Sequence, residues 1–311
     1  MKRLFLGVLM ALTIGFGCSK SELNTEPAPT NPKPNPEQEQ TKIPINNNIA
    51  MGMWTRATDS SFEQDDKVGI YVVNYDGAAA GTLVNSGNHV NNMRFTYSAT
   101  TRWTPDREIY WKDNATKADF YCYYPYGVPA NVAAYAVSTN TNQSTADGYK
   151  GSEFMWGKRE GVMPTSETVS ITVNHVMSNV LVYIKPGEGL TDETIAASTV
   201  GVTICNVMTE ATVNLATGVT TATGAAKSVT PYDETGYYRA LIVPQTVAAN
   251  TVLVIVTVNG FQYTYTPSTA VELKPNTQHK FTVTVNKIGS GVDIGVDSWT
   301  TDETDYGGWA E

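Results

Sequence analysis

The sequence is poor in the residues that most enzymes and metal sites use. It contains three cysteines and three histidines in 311 residues. Cys-x-x-Cys, His-Glu-x-x-His and Gly-x-Ser-x-Gly motifs are all missing, which removes the usual zinc-site and hydrolase patterns. We expect His89, His175 and His279 to be hydrogen-bonded structural residues. The sequence therefore predicts a protein that is not an enzyme, with no catalytic residue, no cofactor and no metal.

Positive charge is scarce and nowhere clustered. The formal net charge is −9 at pH 7, which makes nucleic acid a poor partner because the phosphate backbone requires basic surfaces. The acidic residues Glu63, Asp65 and Asp66 lie close together in the sequence, and a calcium site is one interpretation of this group. It lacks the regular spacing of a known calcium loop, so we expect these carboxylates to be solvated.

Only one long apolar run is present, over residues 4–16, and it is too short to span a bilayer stably. Lys2 and Arg3 precede this run, and Gly17-Cys18 ends it, which is typical of a lipoprotein signal peptide over residues 1–17. We therefore expect lipidation (palmitate) at Cys18, with more than one acyl chain needed for stable membrane attachment. Because Gly15 stands where such signals usually have leucine, an ordinary secretory leader is the alternative.

The other two cysteines lie in apolar strand-like segments. Cys122 is part of "ADFYCYYPY" and Cys205 of "VGVTICNV". Two buried free thiols acting as small apolar side chains are the favoured interpretation. A disulfide remains an alternative in an exported protein, because spacing alone does not show whether the two residues meet.

The segment after the leader, residues 18–42, has a composition that opposes folding. From residue 19 on it holds five prolines and no aromatic residue, so it buries too little apolar surface to offset its ordering entropy. We interpret it as a flexible tether.

The rest of the chain has the pattern of an all-β protein. Amphipathic helices are lacking, whereas short alternating segments recur every 8–15 residues between turn residues, which is typical of antiparallel β-sandwiches. The strands are too numerous for one small sandwich. We therefore predict two tandem domains, residues 43–166 and residues 167–311. Asn259-Gly260 marks the clearest hairpin, because this dipeptide favours a type I′ turn.

Several segments, taken in order, resemble the fimbrillin family of Bacteroidetes. Residues 55–77, "TRATDSSFEQDDKVGIYVVNYDG", are similar to the start of the folded region in that family. Residues 107–127, "REIYWKDNATKADFYCYYPYG", resemble its Tyr-Trp turn and the aromatic strand that follows. The remaining similar segments are residues 152–160, 169–185, 273–286 and 298–311. The resemblance covers residues 43–311 and the leader.

This resemblance implies a type V pilus subunit with two sandwich domains of transthyretin-like topology. It also implies export as a lipoprotein to the outer membrane surface, cleavage after an arginine by a trypsin-like protease, and release of the first strand. A strand of a neighbouring subunit would then fill the groove by β-strand addition. The implied partners are other fimbrillin subunits, the protease, the outer membrane, and a receptor on a host or bacterial surface that adhesion would engage.

One arginine fits the processing site that the resemblance implies. Arg56 lies just before the first family segment and is followed by Ala57 and other small or polar residues, a composition that proteases prefer. The removable strand would lie within residues 45–56, where Ile49, Met51 and Met53 alternate as in a strand with one buried face. The alternative is that Arg56 is an ordinary surface arginine in an uncut chain.

A candidate donor strand lies near the C-terminus, in "GVDIGVDSW" at residues 291–299. Val292, Ile294 and Val296 recur at every second position, followed by Trp299, a period that matches a strand with one apolar face. The alternative is that this segment is the last strand of its own domain.

The alternative function is that of a monomeric surface lipoprotein that binds carbohydrate through exposed aromatic rings. We expect the strand at Phe120 to point one face inward and to leave Tyr121 and Tyr123 half exposed. The competing interpretation places these rings in the core, where aromatic side chains dominate burial. The candidate platform residues are Trp103, Trp111, Tyr121, Tyr123, Tyr124 and Tyr126.

Overall fold

The structure, a computed structural model, describes residues 42–52 and 61–287, and the regular secondary structure in these residues is almost entirely β-strand. This confirms the all-β prediction. The strands up to residue 175 are β1 (Asn46–Met51), β2 (Lys67–Asn74), β3 (Val90–Ser98), β4 (Arg102–Pro105), β5 (Ala118–Tyr124), β6 (Tyr135–Ser138), β7 (Met155–Val162) and β8 (Thr168–His175). The later strands are β9 (Ser178–Pro186), β10 (Val200–Val213), β11 (Thr220–Val229), β12 (Tyr232–Glu234), β13 (Tyr237–Ile242), β14 (Gln245–Val247), β15 (Val254–Val258), β16 (Phe261–Tyr265), β17 (Val271–Leu273) and β18 (Thr277–Val285). The two helices are α1 (Ala146–Lys150) and α2 (Asp192–Ala196).

Seven strands form the first sheet, in the order β1-β8-β7-β5-β2-β3-β4. The sheet encloses an apolar core that includes Val68, Phe95, Trp111, Phe120 and Ile171. Alternation explains why these strands fold together, because every second side chain points to the same face.

The two central strands, β2 and β5, are buried on both faces. On one face Ile70 and Cys122 belong to the first core. On the other face Tyr71, Tyr121 and Tyr123 belong to a second cluster, which also contains apolar residues of β10 and β13. This second cluster lies between the first sheet and the strands that follow it in the chain.

The strands after residue 177 form two main sheets that share a third core. One sheet has the order β11-β10-β15-β16, with β6 also paired to β10, and the other has the order β12-β13-β9-β18. Their shared core includes Val182, Ile204, Ile242, Val256 and Phe281. β14 and β17 form a separate two-stranded sheet.

The predicted hairpin is confirmed. β15 and β16 pair from Val254 with Tyr265 to Val258 with Phe261. Between them Asn259 has a φ of 49° and Gly260 a φ of 86°, and two positive φ values are the requirement of a type I′ turn.

Two strand pairs differ from the antiparallel pattern that the sequence predicted. β1 pairs parallel with β8, and β18 pairs parallel with β9. Side-chain alternation is the same in parallel and antiparallel strands, so the sequence pattern did not contain this information. The pairing also places β8 in the first sheet, although residues 168–175 follow the predicted domain boundary at residue 166.

Cys122 and Cys205 are buried free cysteines. This agrees with the interpretation favoured from the sequence. Burial raises the pKa of the Cys122 thiol, which keeps the thiol protonated and unreactive.

Candidate functional site at the first strand

β1 lies at one edge of the seven-stranded sheet and pairs with β8 in a parallel register. The paired residues run from Asn46 with Thr168 to Met51 with Val173. The bond from the Gly52 amide to the Val173 carbonyl extends this pairing by one residue, at 2.7 Å. An edge strand can leave a sheet without breaking the pairing between the remaining strands, so β1 can be removed while the other six strands stay paired.

The other side of the segment is held at two places. The Ile45 amide donates to the Ile109 carbonyl at 2.8 Å, and the Trp111 amide donates to the Ile43 carbonyl at 2.9 Å. Farther along, the Trp103 indole N–H donates to the Ile49 carbonyl at 2.9 Å. Trp103 belongs to β4, the opposite edge strand. The sheet therefore curls until its two edge strands, β1 and β4, come into contact.

The inward face of β1 completes the first core. Ile45 and Ile49 are almost fully buried, with Ile49 only 3% exposed, and Met51 is half-buried against the same core. Burying one such side chain contributes about 1.5–3 kcal/mol relative to leaving it exposed. Removal of β1 would therefore expose an apolar groove along β8.

One polar residue shares this inward face. Asn47 is 8% exposed, and neither its Nδ2 nor its Oδ1 atom has a hydrogen-bond partner. Asn47 is not among the site residues predicted from the sequence. Its only sequence signal is a place two residues before Ile49 in the alternating pattern.

A small cavity of about 90 Å³ lies beside the end of β1, between Met51 and Phe62. The Tyr124 hydroxyl donates to an Asp66 carboxylate oxygen at 3.0 Å. Burial, together with the Asp66 charge, raises the pKa of Tyr124. Ligand pockets usually measure about 300–1,000 Å³, so this cavity is too small for a main binding site.

Charged groups around the cavity are paired with one another. His175 Nδ1 lies 2.7 Å from a carboxylate oxygen of Glu153, and Lys150 pairs with Glu63, which raises the pKa of Lys150. No group of three or more His, Cys, Asp or Glu side chains in residues 42–52 and 61–287 is arranged to hold a metal ion.

The prediction that the three histidines are hydrogen-bonded structural residues is confirmed. In addition to the pair formed by His175, His89 Nε2 lies 2.6 Å from the Tyr110 carbonyl oxygen. His279 Nε2 accepts the Lys274 amide proton at 2.9 Å. Burial lowers the pKa of His279, which favours the neutral ring that this acceptor role requires.

The predicted aromatic platform is not an exposed surface. Tyr121 is 4% exposed and Tyr123 is 1% exposed, so the prediction that they lie half exposed is wrong. The Tyr123 hydroxyl donates within the fold, to the Gly127 carbonyl at 2.6 Å. Trp103 and Trp111 are also buried, which leaves only the half-buried Tyr124 and Tyr126. The prediction failed because the second cluster covers a face of the sheet that the sequence pattern did not show to be covered.

Several predicted site residues lie outside the described residues. These residues are Cys18, Met53, Arg56, Ala57, Val292, Ile294, Val296 and Trp299.

No helix within the part of the chain that the structure describes is long and apolar enough to cross a membrane.

Replacing Trp103 with phenylalanine should loosen β1, because the bond from the indole to the Ile49 carbonyl is lost. One hydrogen bond contributes about 1 kcal/mol, so the β1 amides should exchange with deuterium roughly five-fold faster. Mass spectrometry of a peptic peptide covering residues 43–52 measures this rate. Trp156→Phe is the matched control, because its indole bonds the Leu215 carbonyl instead. Equal acceleration in both variants would contradict a specific clamp on β1.

Comparison with known proteins relates the chain to surface appendages. A model of the family described as fimbrillin-like matches residues 55–302. A candidate fimbrium subunit of Bacteroides uniformis, Fim1C, is 28% identical over 316 aligned positions, covering 96% of this chain and 95% of that protein.

Two solved structures have the same fold. A candidate cell adhesion protein of Bacteroides uniformis aligns with a TM-score of 0.60 at 24% identity, over 84% of this chain and 99% of that one. A candidate cell adhesion protein of Bacteroides ovatus aligns with a TM-score of 0.61 at 20% identity, over 79% of this chain and 92% of that one.

Proposed function

This chain belongs to the fimbrillin-like family and is a structural, non-enzymatic fimbrial subunit with a role in adhesion, and we propose that it assembles by exchanging β1 for a strand of a neighbouring subunit. The observation that carries this proposal is the position of β1. It is an edge strand that begins directly after the buried Ile45 and fills the core with Ile49, and β8 is its only strand partner among the described residues. A strand from another molecule can restore both the main-chain bonds and the side-chain packing, which is the physical basis of β-strand addition.

We propose that proteolysis after Arg56 releases the exchangeable strand. Before cleavage the connection through residues 53–60 keeps β1 close to its groove at a high effective concentration. Cleavage between Arg56 and Ala57 removes this advantage, and β1 then competes with strands of other molecules. The family match begins at residue 55, after β1.

The proposed incoming strand is residues 291–299 of a neighbouring subunit. Val292, Ile294 and Val296 alternate in that segment, which is the period needed to fill one face of the groove. It follows β18, an edge strand of its own sheet, by a few residues only.

The protein is surface-exposed, and we propose that it reaches the outer membrane as a lipoprotein. In this scheme residues 1–17 are removed, Cys18 carries acyl chains, and residues 18–42 hold the folded part away from the membrane. We also propose two sandwich domains, the first beginning at residue 43. The pairing of β8 with β7 favours a junction near residues 176–177.

Limited trypsin digestion tests the proposal. Brief treatment of the purified chain should expose Ala57 as a new N-terminus, and electron microscopy should then show polymers. Arg56→Gln should remain monomeric under the same treatment. Arg102→Gln is the matched control, because Arg102 is exposed at the start of β4, outside the proposed processing site, and it should polymerise like the unaltered chain. Trimmed protein that stays monomeric at every concentration would contradict strand exchange.

A further inference from the structure

We infer that Asn47 makes β1 the weaker occupant of its own groove, so that a strand with an apolar residue at this position displaces β1 once the chain is cut. The inference rests on the proposed strand exchange and adds the residue that gives the exchange its direction. The incoming strand to which we commit is residues 291–299 of a second copy of this chain.

The first observation is the apolar surrounding of Asn47. The neighbours on the same side of the chain are Ile45, directly before β1, and Ile49 within it, both buried in the first core. Across the ladder its partner is Val169, which is buried in the same core. A neutral amide group has two N–H donors and an oxygen acceptor, and at this site none of them has a hydrogen-bond partner. Such a group loses its bonds to water on burial and gains nothing in return.

The second observation is that Asn47 lies between two other asparagines. Asn46 is exposed and Asn48 is half-buried on the opposite face of β1, where water remains within reach. Asparagine is also depleted in β-strands. β1 therefore carries one residue whose side chain is unsuited to the core, between the buried Ile45 that precedes the strand and the buried Ile49 within it.

The third observation is the composition of the candidate donor. Its alternate residues are Val292, Ile294 and Val296, three successive apolar residues on one face, with Ser298 next on that face. A strand of this composition can place apolar side chains at three successive inward positions, which match those of Ile45, Asn47 and Ile49. The exchange therefore replaces a buried amide by an apolar group and leaves no hydrogen-bonding group unsatisfied there.

The direction of the strand exchange depends on these three observations and on whether residues 53–60 still connect β1 to the rest of the chain. In the uncut chain, tethering keeps even a poorly fitting strand in place. After the cut, the two strands compete by fit alone. Asn47 then favours the incoming strand, so the same residue that is tolerated before processing promotes assembly after it.

The test compares Asn47→Leu with Asn46→Leu, which makes the same substitution on the exposed face of the same strand. In the uncut chain, Asn47→Leu should raise the melting temperature, whereas Asn46→Leu should leave it unchanged. After trypsin treatment, size-exclusion chromatography with mass spectrometry should show the fragment ending at Arg56 leaving Asn47→Leu roughly ten-fold more slowly than the unaltered chain. Polymers should form correspondingly more slowly. Asn47→Val, a smaller apolar residue, guards against misfit of leucine and should behave in the same way.

The outcomes separate the inference from the proposed function. Release from both Asn47 variants at the rate of the unaltered chain, with an unchanged melting temperature, would overturn the role of Asn47 even if polymers form. Release that slows as expected while no variant and no unaltered chain ever polymerises would support Asn47 as the weak position and contradict strand exchange.

Discussion

Replacing Gly157 with alanine should destabilise the protein by about 3 kcal/mol or more, a loss at the upper end for overpacking a well-filled site. Gly157 lies in β7, where that strand faces β8. An added Cβ would sit 2.0 Å from the Thr172 carbonyl oxygen, 2.8 Å from its carbonyl carbon and 3.0 Å from the Val173 Cα. All three are backbone atoms, so the strain is relieved only if β7 and β8 move apart.

Gly201→Ala is the matched control for this prediction. Gly201 also lies in a strand, β10, but an added Cβ would find its nearest neighbour, the Thr257 Cβ, at 3.9 Å. This is ordinary van der Waals contact, so Gly201→Ala should change stability by no more than about 1 kcal/mol, in the stabilising direction. Urea unfolding followed by tryptophan fluorescence compares the two variants. Equal stability of Gly157→Ala and Gly201→Ala would contradict the close approach of β7 to β8.

The same substitution has a consequence for the groove. β8 pairs with β7 on one side and with β1 on the other. A displaced β8 carries the register of β1 with it, so Gly157→Ala should also increase deuterium exchange of residues 43–52. The geometry of the exchange groove therefore depends on a residue of β7, a strand that does not pair with β1.

Local patterns in the sequence were sufficient for the all-β class and the clearest turn. The alternation of Val169, Ile171 and Val173 matches the buried face of β8, and Asn259-Gly260 predicted the hairpin. These features depend on neighbours in sequence, where a period of two residues and the need for positive φ leave few choices.

Features that depend on distant segments were not predictable in the same way. The parallel pairing of β1 with β8 joins residues more than a hundred positions apart, and alternation is blind to strand direction. The burial of Tyr121 and Tyr123 depends on strands from the far half of the chain that cover their face. The unsatisfied amide of Asn47 becomes visible only when the core around it is seen, because three consecutive asparagines look like a polar strand end.

Replacing Gln143 with leucine should destabilise the protein by about 3 kcal/mol. Gln143 is 0% exposed, and its side chain supplies hydrogen bonds that a strand would otherwise provide. Its Nε2 donates to the Leu241 carbonyl at 2.8 Å and to the Asn140 carbonyl at 3.0 Å, and its Oε1 accepts the Leu241 amide proton at 2.9 Å. β12 pairs only with residues 237–239 of β13, so Gln143 covers the stretch of β13 that β12 leaves open.

The large expected loss of stability in Gln143→Leu comes from the backbone groups that would no longer have a hydrogen-bond partner. Leucine has a similar size but no polar atom, so the two buried backbone groups of Leu241 would lose a partner, each at a cost of about 1–3 kcal/mol before relaxation. Gln262→Leu, on the exposed face of β16, is the matched control and should stay within about 0.5 kcal/mol of the unaltered chain. Urea unfolding gives the stability, and the Leu241 amide should exchange with deuterium faster only in Gln143→Leu. If Gln143→Leu unfolds at the urea concentration of the control, Gln143 does not replace a strand at the open side of β13.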